Sequence, residues 1–193
     1  MKKPKLYVIA GPNGSGKTTF AKEFLPSYAD RPAFINADTL AQGLSGFSPD
    51  AVALKAGRIL LEQIEVYAAK QADFAFETTL SGTNYLSRLK RLKEDGYVIH
   101  LFFLWIPDVR LSLARVASRV KMGGHDIGED VVRRRFHRGI ANFLKHYQAL
   151  VDSWMLFDNS ANVPRLIAEG KLGETRIVDR ELYSRILQLR EGQ

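Results

Sequence analysis

The chain has 193 residues, 46% of them apolar, a net charge of +7 and no cysteine. A chain of this length buries a full core without covalent staples, and the lack of thiols excludes a disulfide framework, a thiolate zinc site and a cysteine nucleophile. The charge is uneven: between Arg110 and Lys145 nine Lys/Arg stand against three Asp/Glu, a local excess that suits an anionic ligand.

Residues 6–10 read as a buried strand behind a lysine-rich start. This apolar stretch is too short for a signal peptide and runs into the next motif. The longest apolar run, residues 97–106, is too short to span a bilayer. The expectation is a cytoplasmic protein with no membrane segment.

The run Gly11-Pro12-Asn13-Gly14-Ser15-Gly16-Lys17-Thr18 comes next, and a helical stretch, residues 19–25, follows it. This is G-x-x-x-x-G-K-[ST] in its required setting of strand, loop and helix. The glycines let the backbone wrap a polyphosphate with its N–H groups turned inward, and the helix adds its free N–H groups and dipole. Lys17 reaches the outer phosphates, and Thr18 places its hydroxyl on Mg²⁺. The expected nucleotide contacts are therefore Gly11, Asn13, Gly14, Ser15, Gly16, Lys17, Thr18 and Thr19, with ATP and Mg²⁺ as ligands.

Residues 33–38 form a second strand that ends in polar residues, and Gly43 to Pro49 a loop. A helix runs from there to residue 71. Residues 74–79 form a third strand, and residues 84–95 a helix closed by Gly96. The fourth strand, 97–106, is apolar on both faces, as a central parallel strand should be. Pro107-Asp108 opens a helix to about residue 121, Gly123-Gly124-His125-Asp126 is a loop, and a long helix runs over 129–151. A fifth strand at 154–157 leads into Asp158-Asn159-Ser160. The tail reads as a hairpin around 170–173 and a helix over 179–189. Such alternation predicts an α/β, three-layer P-loop fold. Its sheet would have five parallel strands, with a small C-terminal hairpin and helix. We expect one domain over 1–193, a lid segment at about 115–140 and a C-terminal appendage at 163–193.

In such sheets the ligand lies outside the carboxyl ends of the strands, which singles out Asp38, Glu77 and Asp158-Asn159-Ser160. Asp38 can orient and deprotonate an acceptor hydroxyl, or it can cap the helix that begins near Thr39; the residues alone leave both open. Glu77 is placed to hold Mg²⁺, directly or through water, or to make a surface ion pair. Arg115 and Arg119 share one helix face, and Arg133, Arg134, Arg135 and Arg138 begin the next helix. Joined by a glycine loop, the two helices can close over a triphosphate and neutralise charge on the transferred group. His125 and His100 read as structural.

Several pieces occur in order: residues 11–19, Asn36-Ala37-Asp38, Phe76-Glu77-Thr78-Thr79-Leu80-Ser81-Gly82, Arg119-Val120-Lys121-Met122-Gly123-Gly124-His125, Arg134-Arg135-Phe136 and Phe157-Asp158-Asn159-Ser160. Together they make residues 6 to about 160 resemble the zeta-toxin-like P-loop kinases, in the chromosomal branch with a Gly-Gly-His lid. The resemblance implies a kinase core related to nucleotide and chloramphenicol kinases. The best-understood zeta toxins use ATP and Mg²⁺ to phosphorylate a hydroxyl of UDP-N-acetylglucosamine. By that similarity Asp38 is the base, and Lys17 and Thr18 serve nucleotide and metal. Arg119 and one of Arg134 or Arg135 are lid arginines, and Asn159 lies near the adenine. The lid differs from that of the plasmid toxins, and the resemblance places no UDP-sugar pocket.

The expected activity is ATP-dependent phosphorylation of a small-molecule hydroxyl, with a UDP-amino sugar as one candidate acceptor. The alternative is a P-loop ATPase or switch that binds a macromolecule such as RNA through the basic segment. An acceptor base at Asp38 and the lack of interleaved exposed aromatics argue for the first and against nucleic acid. A toxin with an antitoxin partner has the same chemistry, and no residue here marks such a partner.

Overall fold

The computed structural model describes residues 3–29, 32–43, 49–123, 127–171 and 173–189. Strands β1 (Lys5–Ala10), β2 (Ala33–Ile35), β3 (Phe74–Thr78), β4 (Val98–Trp105), β5 (Ser153–Asp158), β6 (Arg165–Lys171) and β7 (Glu174–Ile177) form one sheet, in the order β2-β3-β1-β4-β5-β6-β7. The first five are parallel, whereas β6 and β7 pair antiparallel. The α/β class holds, but the expected five-stranded parallel sheet is corrected to a mixed sheet of seven. The hairpin continues the sheet because β5 would otherwise leave a row of unpaired N–H and C=O groups. Gly170 makes the join possible: a side chain there would collide with the indole of Trp154.

Strand periodicity divides the core. Leu6, Val8 and Ala10 of β1 point to one face, while Tyr7 and Ile9 point to the other. The first face is covered by α3 (Pro49–Ala69), α4 (Leu86–Glu94), α6 (Glu129–Asn142) and α8 (Arg180–Gln188), through Leu60, Ile64, Leu89, Leu92, Ile140, Tyr183 and Ile186. The second face carries α1 (Lys17–Glu23) and the 3-10 turn Leu25–Ser27, through Phe20, Ala21 and Leu25.

Helix starts follow the side chains. Asp108 caps α5 (Val109–Lys121) by accepting from the N–H of Arg110 at 2.8 Å, and Asp179 caps α8 by accepting from that of Leu182 at 2.9 Å. The long helix expected over 129–151 is interrupted: α6 gives way to a π turn, Phe143–Tyr147, and then the short α7 (Gln148–Leu150). The wider turn carries Phe143, Leu144 and Tyr147, all buried. Among the described residues no helix is long and apolar enough to cross a membrane.

Candidate active site

The phosphate loop leaves β1 at Gly11 and enters α1 at Lys17. Gly11, Gly14 and Gly16 all take positive φ, at 145°, 72° and 85°. At Gly16 a side chain would also lie 2.6 Å from Asn159 Nδ2, so glycine is required on two counts. Lys17 is buried, and its ammonium donates to the carbonyls of Gly11 at 3.0 Å and Pro12 at 2.9 Å. The Ser15 hydroxyl is fully buried and has no hydrogen-bond partner among the described residues.

Thr18 donates its hydroxyl to Glu77 Oε2 at 2.9 Å, across 59 residues of sequence. The contact exists because β1 and β3 are parallel neighbours, so the loop and the end of β3 emerge side by side. A hydroxyl and a carboxylate at this spacing fit a hard divalent cation. No group of three or more His, Cys, Asp or Glu among the described residues gathers as a metal site. Mg²⁺ is a cation of this kind: it takes one or two protein oxygens and completes its shell with phosphate and water.

Asn36, buried at the end of β2, donates to Thr18 Oγ1 at 3.4 Å and accepts from the Thr39 N–H at 3.1 Å. It therefore caps α2 (Ala37–Gly43). The cap that the sequence offered as one role for Asp38 belongs to Asn36, and Asp38 stands inside the first turn. The side chain of Asp38 lies outside the described set. Asn36 received no role in the sequence reading, although an asparagine just before a helix is a cap signal.

The Thr78–Gly82 connection forms the next wall. Leu80 is buried with a φ of 51°, an unusual conformation for a residue with a side chain. Its neighbours hold it there. Asn142 of α6 donates to the Leu80 carbonyl at 2.7 Å, and the Tyr147 hydroxyl donates to that of Gly82 at 2.9 Å. Burial pushes the Tyr147 phenol up to about 12, so it stays protonated as a donor. Burial also raises the Tyr85 phenol, partly offset by a hydrogen bond with Thr78 and by the Arg88 charge. Gly139 lets α6 approach so closely that a Cβ there would lie 2.5 Å from the Thr79 carbonyl.

The arginines separate. Arg115 donates to the carbonyls of Gly14, Asn159 and Ser160 at 3.3, 2.9 and 2.7 Å. Arg119, one turn further on, is half-buried and engaged within the fold. On α6, Arg133 pairs with Glu129 at 2.6 Å, and Arg134 and Arg138 are exposed. Arg135 is half-buried and engaged, one turn before Gly139 on the helix side that meets the Thr79 carbonyl. Of the loop between the helices, Gly124, His125 and Asp126 lie outside the described residues.

Asn159 Nδ2 donates to the Ser15 carbonyl at 2.6 Å. With Gly14, Gly16, Thr19, Arg115, Ala161 and Pro164 it borders a cavity of about 280 Å³ beside the loop. A larger cavity, about 510 Å³, lies towards the other end of the strands, around Tyr7, His100 and Ser153. None of residues 11–19 lines it.

The zeta toxin family model matches residues 1–182. The chain belongs to the zeta toxin family. An uncharacterized protein of Haemophilus influenzae (strain ATCC 51907 / DSM 11121 / KW20 / Rd) is 34% identical over 132 residues, covering 68% of this chain and 92% of that protein. A crystal structure of AvrRxo1-ORF1:-ORF2 with ATP has a TM-score of 0.72 at 21% identity, covering 95% of this chain and 63% of that one. The PezAT chromosomal toxin–antitoxin system of Streptococcus pneumoniae gives 0.64 at 14% identity, covering 98% and 86%. These solved structures share the fold, and the chain spans less than two thirds of the AvrRxo1 chain. The zeta toxin match extends past residue 160 into the hairpin and α8, which the motifs alone did not reach.

Proposed function

We propose that this zeta toxin family protein is an ATP-dependent phosphotransferase that moves the γ-phosphoryl group of ATP to a hydroxyl of a small molecule, with Mg²⁺. The observation that carries the reading is the Thr18–Glu77 pair at 2.9 Å, set beside Lys17 and tied through Asn36 to the start of α2, the helix that carries Asp38. Thr18 and Glu77 would hold the cation, which would supply positive charge to the phosphate oxygens. Lys17 adds a second positive charge on the loop side. Asp38 orients the acceptor hydroxyl and takes its proton as the new O–P bond forms and the bond from the γ-phosphorus to the bridging oxygen breaks, leaving ADP. Arg119 and Arg135, from α5 and α6, offset the charge that develops on the transferred group. For the acceptor we favour a UDP-amino sugar, on the family resemblance.

The RNA-binding alternative loses support from the arginines themselves. Arg115 is occupied by backbone carbonyls and Arg133 by Glu129, while Arg119 and Arg135 are engaged inside the fold. Arg115 is thereby withdrawn from a nucleic-acid backbone, whereas Arg134 and Arg138 stay exposed on α6. An antitoxin partner is consistent with the toxin–antitoxin system named for the PezAT neighbour.

The test is phosphoryl transfer from labelled ATP, first to UDP-N-acetylglucosamine and then to a metabolite extract. Lys17→Ala serves as the control. The reading expects one labelled small molecule that disappears in Lys17→Ala. Label on phosphate alone, with equal MgATP affinity in both proteins, overturns it.

A further inference from the structure

Three consecutive carbonyls of the phosphate loop are each held from outside by a side chain. The Ser112 hydroxyl donates to Asn13 at 2.5 Å, Arg115 Nη1 to Gly14 at 3.3 Å and Asn159 Nδ2 to Ser15 at 2.6 Å. Ser112 and Asn159 are buried, and all three donors stand 99 or more residues away in sequence from the carbonyl they hold. Arg115 uses the rest of its guanidinium on the carbonyls of Asn159 and Ser160. One arginine thus joins the loop to the turn after β5. That turn is itself fixed by the Asn159 N–H, which donates to the Trp105 carbonyl at 2.8 Å.

We infer that Ser112, Arg115 and Asn159 are positioning residues that brace the phosphate loop from its outer side and preorganise it for a polyphosphate. The reason is peptide geometry. In a planar trans peptide, C=O and the following N–H point in opposite directions. Holding the carbonyls of Asn13 and Ser15 outward turns the N–H groups of Gly14 and Gly16 to the other side. Hydrogen bonding at the carbonyl also polarises the same peptide unit and makes its N–H a better donor. Three glycines leave this backbone otherwise free to reorient, so the donors supply what the loop sequence lacks. The small residues fit the brace closely. A Cβ on Gly14 would lie 2.8 Å from the Ser112 carbonyl, and one on Gly16 would lie 2.6 Å from Asn159 Nδ2.

The brace also gives α5 a fixed footing. Ser112 and Arg115 bind it to the loop, so Arg119, one turn on, is carried in a set relation to the phosphates. Any closing motion of the basic segment would then begin beyond Arg115. This inference rests on the reading of the loop as a phosphate site, so its test must separate the two.

The experiment uses the full chain with Arg115→Met, Arg115→Lys and Ser112→Ala. Nitrogen-15 relaxation of the Gly14, Ser15 and Gly16 amides is recorded without ligand. Affinity is then measured for magnesium tripolyphosphate and for MgATP. The brace predicts that in Arg115→Met the three order parameters fall from about 0.85 towards 0.6. Affinity for tripolyphosphate and for MgATP should fall together, by roughly ten- to a hundredfold. Arg115→Lys, which cannot serve three carbonyls at once, should fall between. Ser112→Ala, a small buried change, should show the same pattern weakly if Arg115→Met does not fold. An MgATP loss alone, with tripolyphosphate affinity and order parameters intact, makes Arg115 an adenine contact and overturns the brace. A lower melting temperature with unchanged amides and affinities reduces it to a structural role and overturns it as well. Failure of the wild type to bind either ligand sinks the phosphate reading, while the ligand-free relaxation still decides the brace.

Discussion

The two flanks of the site are built differently. On the flank we propose for the nucleotide the backbone would be the binding surface, and side chains from α5 and the turn after β5 bond to the carbonyls of Asn13, Gly14 and Ser15. On the flank we propose for the acceptor, α2 begins at the Asn36 cap, and the Thr78–Gly82 connection is held by Asn142, Tyr147 and the close approach of Gly139. The first flank is specified by an eight-residue motif; the second is specified by contacts from α6 and its π turn, about sixty residues away. Phosphates are common to every P-loop protein, so the first flank can be generic. The acceptor is not common, and the flank that would meet it is the one set by long-range packing.

The sharpest way to separate the flanks is Asp38→Asn. If Asp38 serves the acceptor, the change keeps shape and polarity but removes the base. Transfer should fall by about 10²–10⁴-fold, with MgATP affinity by calorimetry nearly unchanged. Loss of MgATP binding would place Asp38 on the nucleotide flank, and unchanged transfer would move the base to Glu77.

The arginines test whether both flanks meet over the phosphates. Arg119→Ala and Arg135→Ala should each lower kcat by about 10²-fold, more than they weaken nucleotide binding, because their contacts strengthen as charge develops. Arg134→Ala, at an exposed position, should change kcat little. Equal losses for Arg134 and Arg135 would contradict the assignment. Amide exchange over 115–140 should slow on adding MgATP and acceptor, and no change there would reject closure by this segment.

The contrast also explains how much could be read in advance. The phosphate loop, Glu77 and the strand–helix alternation are local patterns, and their periodicity and spacing survive in a linear text. The seven-stranded sheet is not legible locally because the hairpin's place beside β5 depends on Trp154 packing over Gly170, a contact between distant residues. Arg115 and Arg119 looked alike at a spacing of four. Only the tertiary arrangement shows that one is held by three carbonyls. Four arginines near the start of α6 could not be ranked by sequence, because the helix's orientation against the Thr79 carbonyl decides which faces inward. Asn36 is legible as a cap from its place just before a helix, but its bond to Thr18, 18 residues away in sequence, is not.

A smaller perturbation aims at the acceptor flank alone. Gly139→Ala puts a methyl group 2.5 Å from the Thr79 carbonyl, a backbone atom that cannot swing aside. The overpacking should cost about 1–3 kcal/mol of stability. Movement of the Thr78–Gly82 connection should lower transfer while MgATP affinity holds. Equal losses on both flanks would mean that α6 supports the whole site and that the division is false.

The smallest effect lies furthest from both flanks, where the comparison expects none on the chemistry. His100 stacks on Tyr7 with ring centroids 5.2 Å apart, and its Nδ1 is 2.7 Å from Ser153 Oγ. Burial lowers its pKa below the ordinary 6.5, Lys5 and Lys171 act in the same direction, and Asp152 opposes them. The unfolded chain therefore takes up this proton at a higher pH than the folded one. The sign follows: stability contributed by neutral His100 is complete above about 6.5, falls as pH drops below it, and levels off once the folded histidine titrates. Denaturant titrations of the wild type and His100→Gln across pH 5–8 should show an acid-side slope in the wild type that the variant loses. MgATP affinity should be the same in both at pH 7.5, because Tyr7, His100 and Ser153 line the cavity away from the loop. A slope that persists in His100→Gln assigns the proton to another group. A changed nucleotide affinity would show that the two ends of the strands are coupled, and the separation into independent flanks would have to be abandoned.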